Sequence, residues 1–389
     1  MKNFVLVSPH FPTNFLPFAA RLKEKGVNTL GLGDEPYDLL PNELKENLTE
    51  YYQVSNLENY HEAHRAVQYF AEKYGEIHRI ESHNEHWLEL DAKLRTDFDV
   101  FGYKVNDLES IKFKSGMKKV YQSIGLKVAK GRVITTDSDA RSLANEFNYQ
   151  VIIKPDNGVG AGDTHKIMSE NDLEAFLQHR IPEVSYIMEE FIEGDIVTFD
   201  GLTDVDGKIV FHSSMNYNTA VINTVITGND LFFYVTKDIP EALSQMGEKI
   251  VQAFNTKERF FHLEFFLTPS GEYIPLEVNM RLPGGSSIDM MNYANDIDLF
   301  AEYANLVSTG AFQNTASRQY YCAYVARNYE NNHYHHNDNE IRDHLGENLK
   351  EILSIPGIFA TLMGNVGYIV RAETTESLKE AIEFIQGKY

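Results

Sequence analysis

Short apolar runs alternate with amphipathic helical patterns over the first 105 residues. Runs such as NFVLVS at 3–8 and VNTLGLG at 27–33 predict buried strands, and helical patterns at about 14–25 and 57–74 lie between such runs. Buried strands joined by helices through short connections are typical of a parallel sheet with right-handed crossovers. We therefore predict a small doubly wound α/β domain at the start of the chain.

Polar residues follow the strands of this predicted domain. Ligands of such sheets gather beyond the carboxyl ends of the strands. The residues at these positions are Ser8, His10, Glu81, His83 and Glu85. Substrate binding is the functional interpretation of His10 and Glu85. The simpler interpretations are a loop position for His10 and a favourable charge at a helix start for Glu85.

A basic helical segment, SIKFKSGMKKVYQSIGLK, begins at residue 110 of this otherwise acidic chain. Its clustered lysines are Lys112, Lys114, Lys118 and Lys119. A solvated helix face explains the cluster, and so does a surface that positions phosphate groups. The pattern favours neither explanation over the other.

The next signal is a buried strand that ends in Lys154 and Pro155, followed by a loop that contains Gly158, Gly160 and Gly162. Glycines allow backbone N–H groups to approach phosphate oxygens, and a lysine at the strand end adds a positive charge. The loop has neither the GxxxxGK[ST] order of a P-loop nor a strict GxGxxG pattern. A glycine-rich loop of this kind is therefore more often a flexible turn than a phosphate-binding loop.

The segment SYIMEEFIEGD predicts a further strand, which ends in the residues around Glu189, Glu190 and Ile192. A strand end whose backbone is free can pair with the edge of an adenine ring, and an acid beyond it, such as Asp195, can hold a ribose. A plain hairpin explains the same residues equally well.

The stretch HLEFFLTPSGEYIPLEVNMRLPGGSS at 262–287 predicts a hairpin, with Pro-Ser-Gly as its turn. Because side chains alternate along a strand, Glu277 and Asn279 share a face, and Glu264 can lie on that face across the hairpin. Two carboxylates and an amide suit Mg2+. Arg281 follows one step along, where a guanidinium could hold a phosphoryl group or a carboxylate.

A solvated acidic hairpin face is the alternative explanation of these residues. The acids lie within runs rich in Phe, Leu and Ile, and a buried carboxylate without a partner is unfavourable. We therefore favour the metal site.

The last third of the chain predicts helices at about 288–295 and 298–309, then strands near 319–327 and 365–371 and a final helix at 375–386. This order indicates a small α+β cap. A histidine-rich tract lies within it and contains His333, His335 and His336. Its composition permits metal binding, but an exposed flexible loop explains it better.

Composition narrows the function classes. The 389 residues are 43% hydrophobic and 24% charged, which is typical of globular domains. The net charge of -22 disfavours nucleic acid and anionic membranes as partners. The single cysteine, Cys322, excludes internal disulfides and fits a reducing compartment, and we find no apolar segment of membrane-spanning length. We therefore expect a cytoplasmic protein.

In combination, these motifs resemble the ATP-grasp superfamily, and especially its carboxylate-amine ligase branch. That branch includes L-amino acid ligases and is related to biotin carboxylase and carbamoyl phosphate synthetase. The most specific part is LEVNMRLPGGS preceded by HLEFF, and the other motifs follow in the expected order. The resemblance implies a pre-ATP-grasp domain at 1–105, an ATP-grasp domain at 106–312 with a lid at about 128–193, and a cap at 313–389.

The resemblance also implies roles for individual residues. At the phosphates, Lys114 and Lys154 would contact the nucleotide, and the glycine loop from Asp156 to Thr164 would close over it. At the base, Glu189 would contact adenine and the backbones of Glu190 and Ile192 would pair with the ring. Asp195 would contact the ribose. For catalysis, Glu264, Glu277 and Asn279 would bind Mg2+, for which Mn2+ could substitute. Arg281 would stabilise the transferring phosphoryl group. The acceptor pocket would include Ser286, Ser287 and the N-terminal domain.

The chain departs from the family pattern at two positions. Phe113 stands where the family usually has Asp before its lysine, so Lys112 remains a rival to Lys114. Asp163 stands where a glycine is expected, which bears on how the loop closes.

The function that the resemblance implies is an ATP- and Mg2+-dependent ligase that forms an amide or peptide bond through an acyl phosphate, with an amino acid as one substrate. Carboxyphosphate or carbamoyl phosphate chemistry is an alternative, and a non-catalytic nucleotide-binding protein is another. A homodimer is the expected assembly.

Overall fold

The computed structural model describes residues 1–158, 163–217, 230–330 and 332–389. Its N-terminal part is a parallel sheet of four strands in the order β3-β2-β1-β4. The strands are β1 (Asn3–Val7), β2 (Asn28–Gly33), β3 (Glu50–Gln53) and β4 (Ile77–Glu81). The helices are α1 (Leu16–Glu24), α2 (Asn42–Asn47), α3 (Tyr60–Tyr74) and α4 (Leu88–Asp97). All residues of β1 and β2 are buried, as their apolar runs predict.

The basic segment forms two helices, where the sequence pattern predicted one. They are α5 (Leu108–Lys112) and α6 (Lys114–Ser123). The chain is extended at Phe113, with φ −100° and ψ 125°. Asp156 holds the start of α6, because its carboxylate accepts hydrogen bonds from the N–H and the hydroxyl of Ser115, each at 2.7 Å. The break thus joins α6 to the beginning of the glycine loop.

A small antiparallel sheet lies between residues 131 and 190, in the order β5-β8-β6-β7. Its strands are β5 (Gly131–Val133), β6 (Val151–Pro155), β7 (His165–Ile167) and β8 (Tyr186–Glu190), and its helices are α7 (Asp137–Glu146) and α8 (Glu170–His179). Both helices begin with a side-chain cap, since Thr136 accepts from the N–H of Asp139 and Ser169 from that of Asp172.

A larger antiparallel sheet forms the centre of the molecule. Its central strands are β9 (Asp195–Thr203), β10 (Ile209–Ser213), β11 (Met215–Tyr217), β12 (Phe232–Val235), β13 (Phe260–Leu267) and β14 (Tyr273–Asn279). Its helices are α9 (Glu241–Ala253), α10 (Ser287–Asn295) and α11 (Leu299–Thr309). Ser214 separates β10 from β11, and both strands pair with β9.

The C-terminal strands continue this central sheet. They are β15 (Tyr321–Arg327), β16 (Leu349–Ser354) and β17 (Val366–Ala372), with helices α12 (Asp338–Leu345), α13 (Gly357–Met363) and α14 (Thr375–Gln386). Because β15 pairs with β12, the described strands follow the order β14-β13-β9-β11-β12-β15-β17-β16. The structure is mixed α/β and α+β, as predicted, and the domain limits given above stay predictions.

In the part of the chain that the structure describes, no helix is long and apolar enough to span a membrane.

Candidate functional site

The hairpin of β13 and β14 brings two carboxylates face to face. Glu264 lies directly opposite Glu277 in the antiparallel register, and His262 lies opposite Asn279. The register shifts by one residue immediately after Glu264. The predicted convergence of Glu264, Glu277 and Asn279 is therefore present, and the Nδ2 of Asn279 lies 3.4 Å from the Oε1 of Glu264.

The two carboxylates have different partners. The Oε1 of Glu277 lies 3.0 Å from the Nζ of Lys114. Burial raises the pKa of Glu277, and the negative charge of Glu264 adds to that rise against the opposing charge of Lys114. Burial also opposes ionisation of Glu264, but the hydrogen bond and charge of His262, with Arg281 and Lys114, hold its pKa below the usual value. The two facing acids are thus flanked by Lys114 on one side and by His262 and Arg281 on the other.

A buried chain of polar groups supports Glu264 from behind. The Oδ1 of Asp200 lies 2.5 Å from the Nδ1 of His262, whose Nε2 lies 3.1 Å from the Oε1 of Glu264. Burial alone would lower the pKa of His262, but Asp200 and then Glu264 raise it to about 9. The imidazolium therefore fixes the carboxylate of Glu264 from one side.

Arg281 joins the hairpin to the N-terminal domain. Its Nε donates to the Oε2 of Glu85 at 3.0 Å, and its terminal nitrogens donate to the Oδ1 of Asn279 at 3.2 Å and to the carbonyl of Leu282 at 2.6 Å. These partners place the guanidinium beside the predicted metal ligands.

A second contact joins the same regions, between Arg259 just before β13 and Glu81 at the end of β4. Buried Arg259 donates to the carbonyl of Met280 at 2.9 Å and pairs with Glu81 at the end of β4. Glu81 also pairs with buried Arg95 at 2.9 Å. Burial would raise the pKa of Glu81, but the two guanidinium groups hold it near 2. This cluster anchors the chain just before Arg281.

Three lysines contact the acids of the hairpin and of the small sheet. Lys154 Nζ lies 2.8 Å from the Oε2 of Glu189, and Lys118 Nζ lies 2.6 Å from its Oε1. Lys114 also donates to the carbonyl of Gly158 at 3.1 Å. Its neighbour Lys112 pairs with Glu89 at 3.2 Å, away from Glu277. The geometry therefore favours Lys114 over Lys112 as the lysine of the site.

Part of the glycine loop is described. Gly158 lies next to Lys114, and Asp163 accepts from the hydroxyl of Tyr186 and lies 2.7 Å from the Nε2 of His165. Gly160 and Gly162 lie outside the described residues. The predicted contacts of these two glycines stay predictions.

The predicted adenine edge lies at the end of β8. The N–H of Glu190 donates to the carbonyl of Lys130 at 2.7 Å, and its Oε1 accepts from the N–H of Lys130 at 2.8 Å. Pairing of Glu190 with a base would therefore use its carbonyl oxygen. Ile192 is half-buried in the turn that follows, and Asp195 is exposed at the start of β9.

The remaining predicted substrate residues have varied settings. Ser287 donates to the carbonyl of Gly284 at 2.7 Å, and Ser286 directly precedes α10. The Nδ1 of His10 is buried and makes no hydrogen bond within the described structure. Burial lowers the pKa of His10, although Glu35 and Asp34 oppose this.

The histidine-rich tract packs against aromatic rings. The rings of His336 and His344 each stack on Phe384 at 3.8 Å, and the ring of His335 meets Tyr389 edge-on at 4.5 Å. Within the described ranges, no group of three or more His, Cys, Asp or Glu side chains is arranged to hold a metal ion.

Two facing carboxylates fit Mg2+, whereas the Oδ1 of Asn279 accepts from Arg281 and would have to turn from it to reach the ion. This ion commonly takes one or two carboxylates and completes its shell with water and phosphate oxygens. The observation that supports the fit is the register of the hairpin, which places the largely shielded Glu277 directly opposite a second acid, Glu264.

Sequence reasoning missed three contributors to this geometry: Asp200, His262 as a support of Glu264, and Lys118 as a partner of Glu189. Lys118 lies four residues after Lys114 on α6, and His262 two residues before Glu264 on β13, so helix and strand periodicity could have found both. Asp200 lies on β9, and only the pairing of β9 with β13 identifies it.

Comparison with known proteins fits this geometry. Residues 147–289 match the family model of an ATP-grasp domain. The crystal structure of an L-amino acid ligase from Bacillus licheniformis has a TM-score of 0.75 and 15% identity, over 98% of this chain and 96% of that one. Residues 147–289 therefore match an ATP-grasp domain, and the chain has the ATP-grasp fold, which confirms the fold class expected from the sequence.

Two curated relatives belong to the classes that the resemblance named. An L-arginine-specific L-amino acid ligase of Bacillus subtilis is 25% identical over 242 residues, which are 60% of this chain and 58% of that protein. An arginine-specific carbamoyl phosphate synthase large chain of Oryza sativa subsp. japonica is 20% identical over 219 residues, which are 54% of this chain and 18% of that protein. The match thus spans less than two thirds of each relative.

Proposed function

We propose that this chain is an ATP-dependent ligase that joins a carboxylate to an amine through an acyl phosphate, with an amino acid as one substrate. The observation that carries the proposal is the placement of Arg281 beside Asn279 and the facing acids of the β13–β14 hairpin, one of which pairs with Lys114. The similarity to an L-amino acid ligase supports the same reaction class.

The nucleotide would lie between the hairpin and the small sheet. Lys114 and Lys154 would neutralise phosphate oxygens, and Glu189 would accept from the amino group of adenine. The backbone of Glu190 and Ile192 and the side chain of Asp195 would complete the base and ribose contacts. Lys154 supports this placement, because it pairs with Glu189 at 2.8 Å and also interacts electrostatically with Glu277 and Glu264.

Glu264, Glu277 and Asn279 would hold Mg2+, for which Mn2+ is the expected substitute. The ion would supply positive charge at the terminal phosphoryl groups of the nucleotide. His262 and Asp200 would keep the carboxylate of Glu264 in place.

Arg281 would orient the acyl substrate. A carboxylate oxygen forms a bond to the γ-phosphorus of ATP, the bond from that phosphorus to the β,γ-bridging oxygen breaks, and ADP leaves. The amine nitrogen, after losing a proton, bonds to the acyl carbon and expels inorganic phosphate. The guanidinium stabilises negative charge at the oxygens of the transferring group.

Glu85 would receive the ammonium group of an amino acid substrate. An amino acid carries a carboxylate and an ammonium group close together. Because Glu85 contacts Arg281 directly, the guanidinium could bind the carboxylate while Glu85 binds the ammonium group. This complementarity supports an amino acid over a simple carboxylic acid. Ser286, Ser287 and His10 are further proposed contacts with the substrates.

The test is phosphate release from ATP and Mg2+ with a panel of amino acids and other carboxylates, each alone and in pairs, with mass spectrometry of the products. Release that requires a pair, with a product lighter than the two substrates by one water, supports the ligase. Release that requires bicarbonate would favour carboxyphosphate chemistry. ATP binding without any stimulated release would favour a nucleotide-binding protein without turnover.

The cytoplasmic location and the homodimer stay predictions from the sequence. The same is true of the absence of nucleic-acid and membrane partners.

A further inference from the structure

Glu189 is held by two lysines that come from different parts of the fold. Lys118 of α6 reaches its Oε1 at 2.6 Å, and Lys154 of β6 reaches its Oε2 at 2.8 Å. The side chains of Glu189, Lys154 and Lys118 are only 7%, 9% and 13% exposed. Each carboxylate oxygen therefore has its own lysine, and both pairs are shielded from water.

This carboxylate depends on its cations to stay ionised. Burial alone would raise the pKa of Glu189, but the charges of Lys154 and Lys118 hold it below the usual value. A buried carboxylate that loses all its cationic partners is strongly disfavoured. At least one lysine must therefore stay with Glu189 whenever it acts as an acceptor.

The two lysines differ in how they are anchored. Lys154 lies two residues before Asp156, at the start of the glycine loop, where triphosphate would compete for its charge. Lys118 also donates to the carbonyl of Ala129, immediately before the small sheet. Its helix is tied to Asp156 through Ser115. Lys118 is therefore the lysine that can remain with Glu189 while Lys154 turns towards phosphate.

We propose that Lys118 is a positioning residue of the nucleotide site, which holds Glu189 ionised and aimed at the base while Lys154 binds phosphate. The inference rests on the proposed function. An ionised Glu189 accepts from the 6-amino group of adenine, whereas guanine presents a carbonyl oxygen at that position. Lys118 therefore sets the preference for adenine over guanine nucleotides, through repulsion as well as attraction.

A merely structural role for Lys118 predicts a different result. If the lysine only tied α6 to the small sheet through Ala129, its loss would weaken the binding of every nucleoside triphosphate by the same factor. The ratio of ATP to GTP affinity separates the two roles, because only the positioning role acts on the base.

The experiment measures dissociation constants of Mg2+-ATP and Mg2+-GTP by calorimetry for the wild type and Lys118→Met. We expect Lys118→Met to weaken ATP binding about 10- to 100-fold and to change GTP binding much less. Lys118→Arg should restore most of the ratio, because it keeps the charge. The matched control is Lys119→Met, since Lys119 is 71% exposed and pairs with exposed Glu109, and it should match the wild type.

A second variant makes the mechanism specific. In a Glu189→Gln background the amide carries no charge to stabilise, so adding Lys118→Met should leave the affinity ratio unchanged. Should Lys118→Met not fold, Lys118→Gln carries the same comparison, because it keeps a donor for the carbonyl of Ala129. Equal losses for ATP and GTP, or no loss for either, would overturn the inference.

The inference and the proposed function fail in distinguishable ways. A wild-type chain that binds neither nucleotide overturns the proposed function and the inference together. A wild-type chain that prefers ATP, with the same preference in Lys118→Met, overturns the inference alone.

Discussion

The side chains of Arg281 and Glu85 meet at 3.0 Å although 196 residues separate them along the chain. Both are largely shielded, with side-chain exposures of 17% and 12%. The contact brings a carboxylate of the N-terminal domain to the guanidinium that we assign to the reacting carboxylate. It makes the N-terminal domain a part of the proposed substrate site.

Glu85→Gln should weaken binding of the amino acid substrate. The amide keeps the shape of the side chain but loses the charge that would pair with an ammonium group. We expect the KM for that substrate to rise about 10- to 100-fold, with the dissociation constant of ATP unchanged. Steady-state kinetics and calorimetry measure the two quantities.

The control for this prediction is Glu89→Gln. Glu89 lies one turn further along and pairs with Lys93 and Lys112 at a side-chain exposure of 43%. An equal rise in KM for both variants would remove the specific role of Glu85.

Glu277→Gln should abolish turnover and largely spare the fold. Because burial raises the pKa of Glu277, removal of its negative charge is tolerated by the folded state. We expect kcat to fall about 100-fold or more, since a charged ligand of the proposed metal ion is lost. Thermal denaturation and phosphate release test the two parts of the prediction.

Glu272→Gln is the matched change on the same hairpin, at an exposed position that pairs with Lys127. It should leave the rate unchanged. An unchanged rate in Glu277→Gln itself would refute the metal assignment.

Glu81→Gln should strongly destabilise the fold, because it leaves Arg95 and Arg259 buried without their shared carboxylate. We expect a loss of about 3–5 kcal/mol in the free energy of unfolding, measured with urea. Glu50→Gln breaks the more exposed pair with Lys73 and should cost at most about 1 kcal/mol. Similar losses in both variants would show that burial does not distinguish these pairs.

The pH dependence of Glu81 follows from the same contacts. The two guanidinium groups hold its pKa near 2 in the fold, below its usual value of 4.5. The stabilisation by Glu81 is therefore fully present above pH 4.5 and is lost as the pH falls through about 2. The difference in stability between the wild type and Glu81→Gln should shrink over that range. A constant difference would contradict the ion pairing.

Asp289→Asn should stabilise the protein at neutral and alkaline pH. Burial, and then the charge of Glu351, raise the pKa of Asp289 to about 7 from 3.8. The protonated form suits the fold, so its contribution is complete below pH 3.8 and is lost as the pH rises through about 7. The gain from Asp289→Asn should grow over this window to about 1–2 kcal/mol at pH 8, after allowance for residual solvent contact.

Urea unfolding at pH 4 and pH 8 measures the gain for Asp289→Asn. The exposed Asp238 provides the control variant Asp238→Asn, which should show no such growth with pH. A gain of the same size at both pH values would contradict the assigned cause.

The local parts of this architecture could be predicted from the sequence because periodicity is a local signal. The helix expected at about 57–74 is α3 at Tyr60–Tyr74, and Glu264 faces Glu277 as strand alternation allows. The two-residue spacing of Glu277, Asn279 and Arg281 predicts that they share one face of a strand, whichever strand lies beside it.

The parts that depended on distant partners could not be predicted in this way. The break at Phe113 requires Asp156, and the support of Glu264 requires Asp200 from β9. The pairing of β15 with β12, which joins the C-terminal strands to the central sheet, is likewise a contact between distant segments. Lys118 pairs with Glu189 near the end of β8, and the helical pattern of α6 carries no information about the position of that strand.

The central claim is that bond formation passes through an acyl phosphate. Its most direct test uses an amino acid substrate labelled with 18O in its carboxylate, with Mg2+-ATP and the amine, and mass spectrometry of the released phosphate. We predict one 18O atom in each phosphate released with product, and release of labelled phosphate at least about 100-fold slower from Glu277→Gln. Product formed with unlabelled phosphate, or with the label in AMP, would contradict the account.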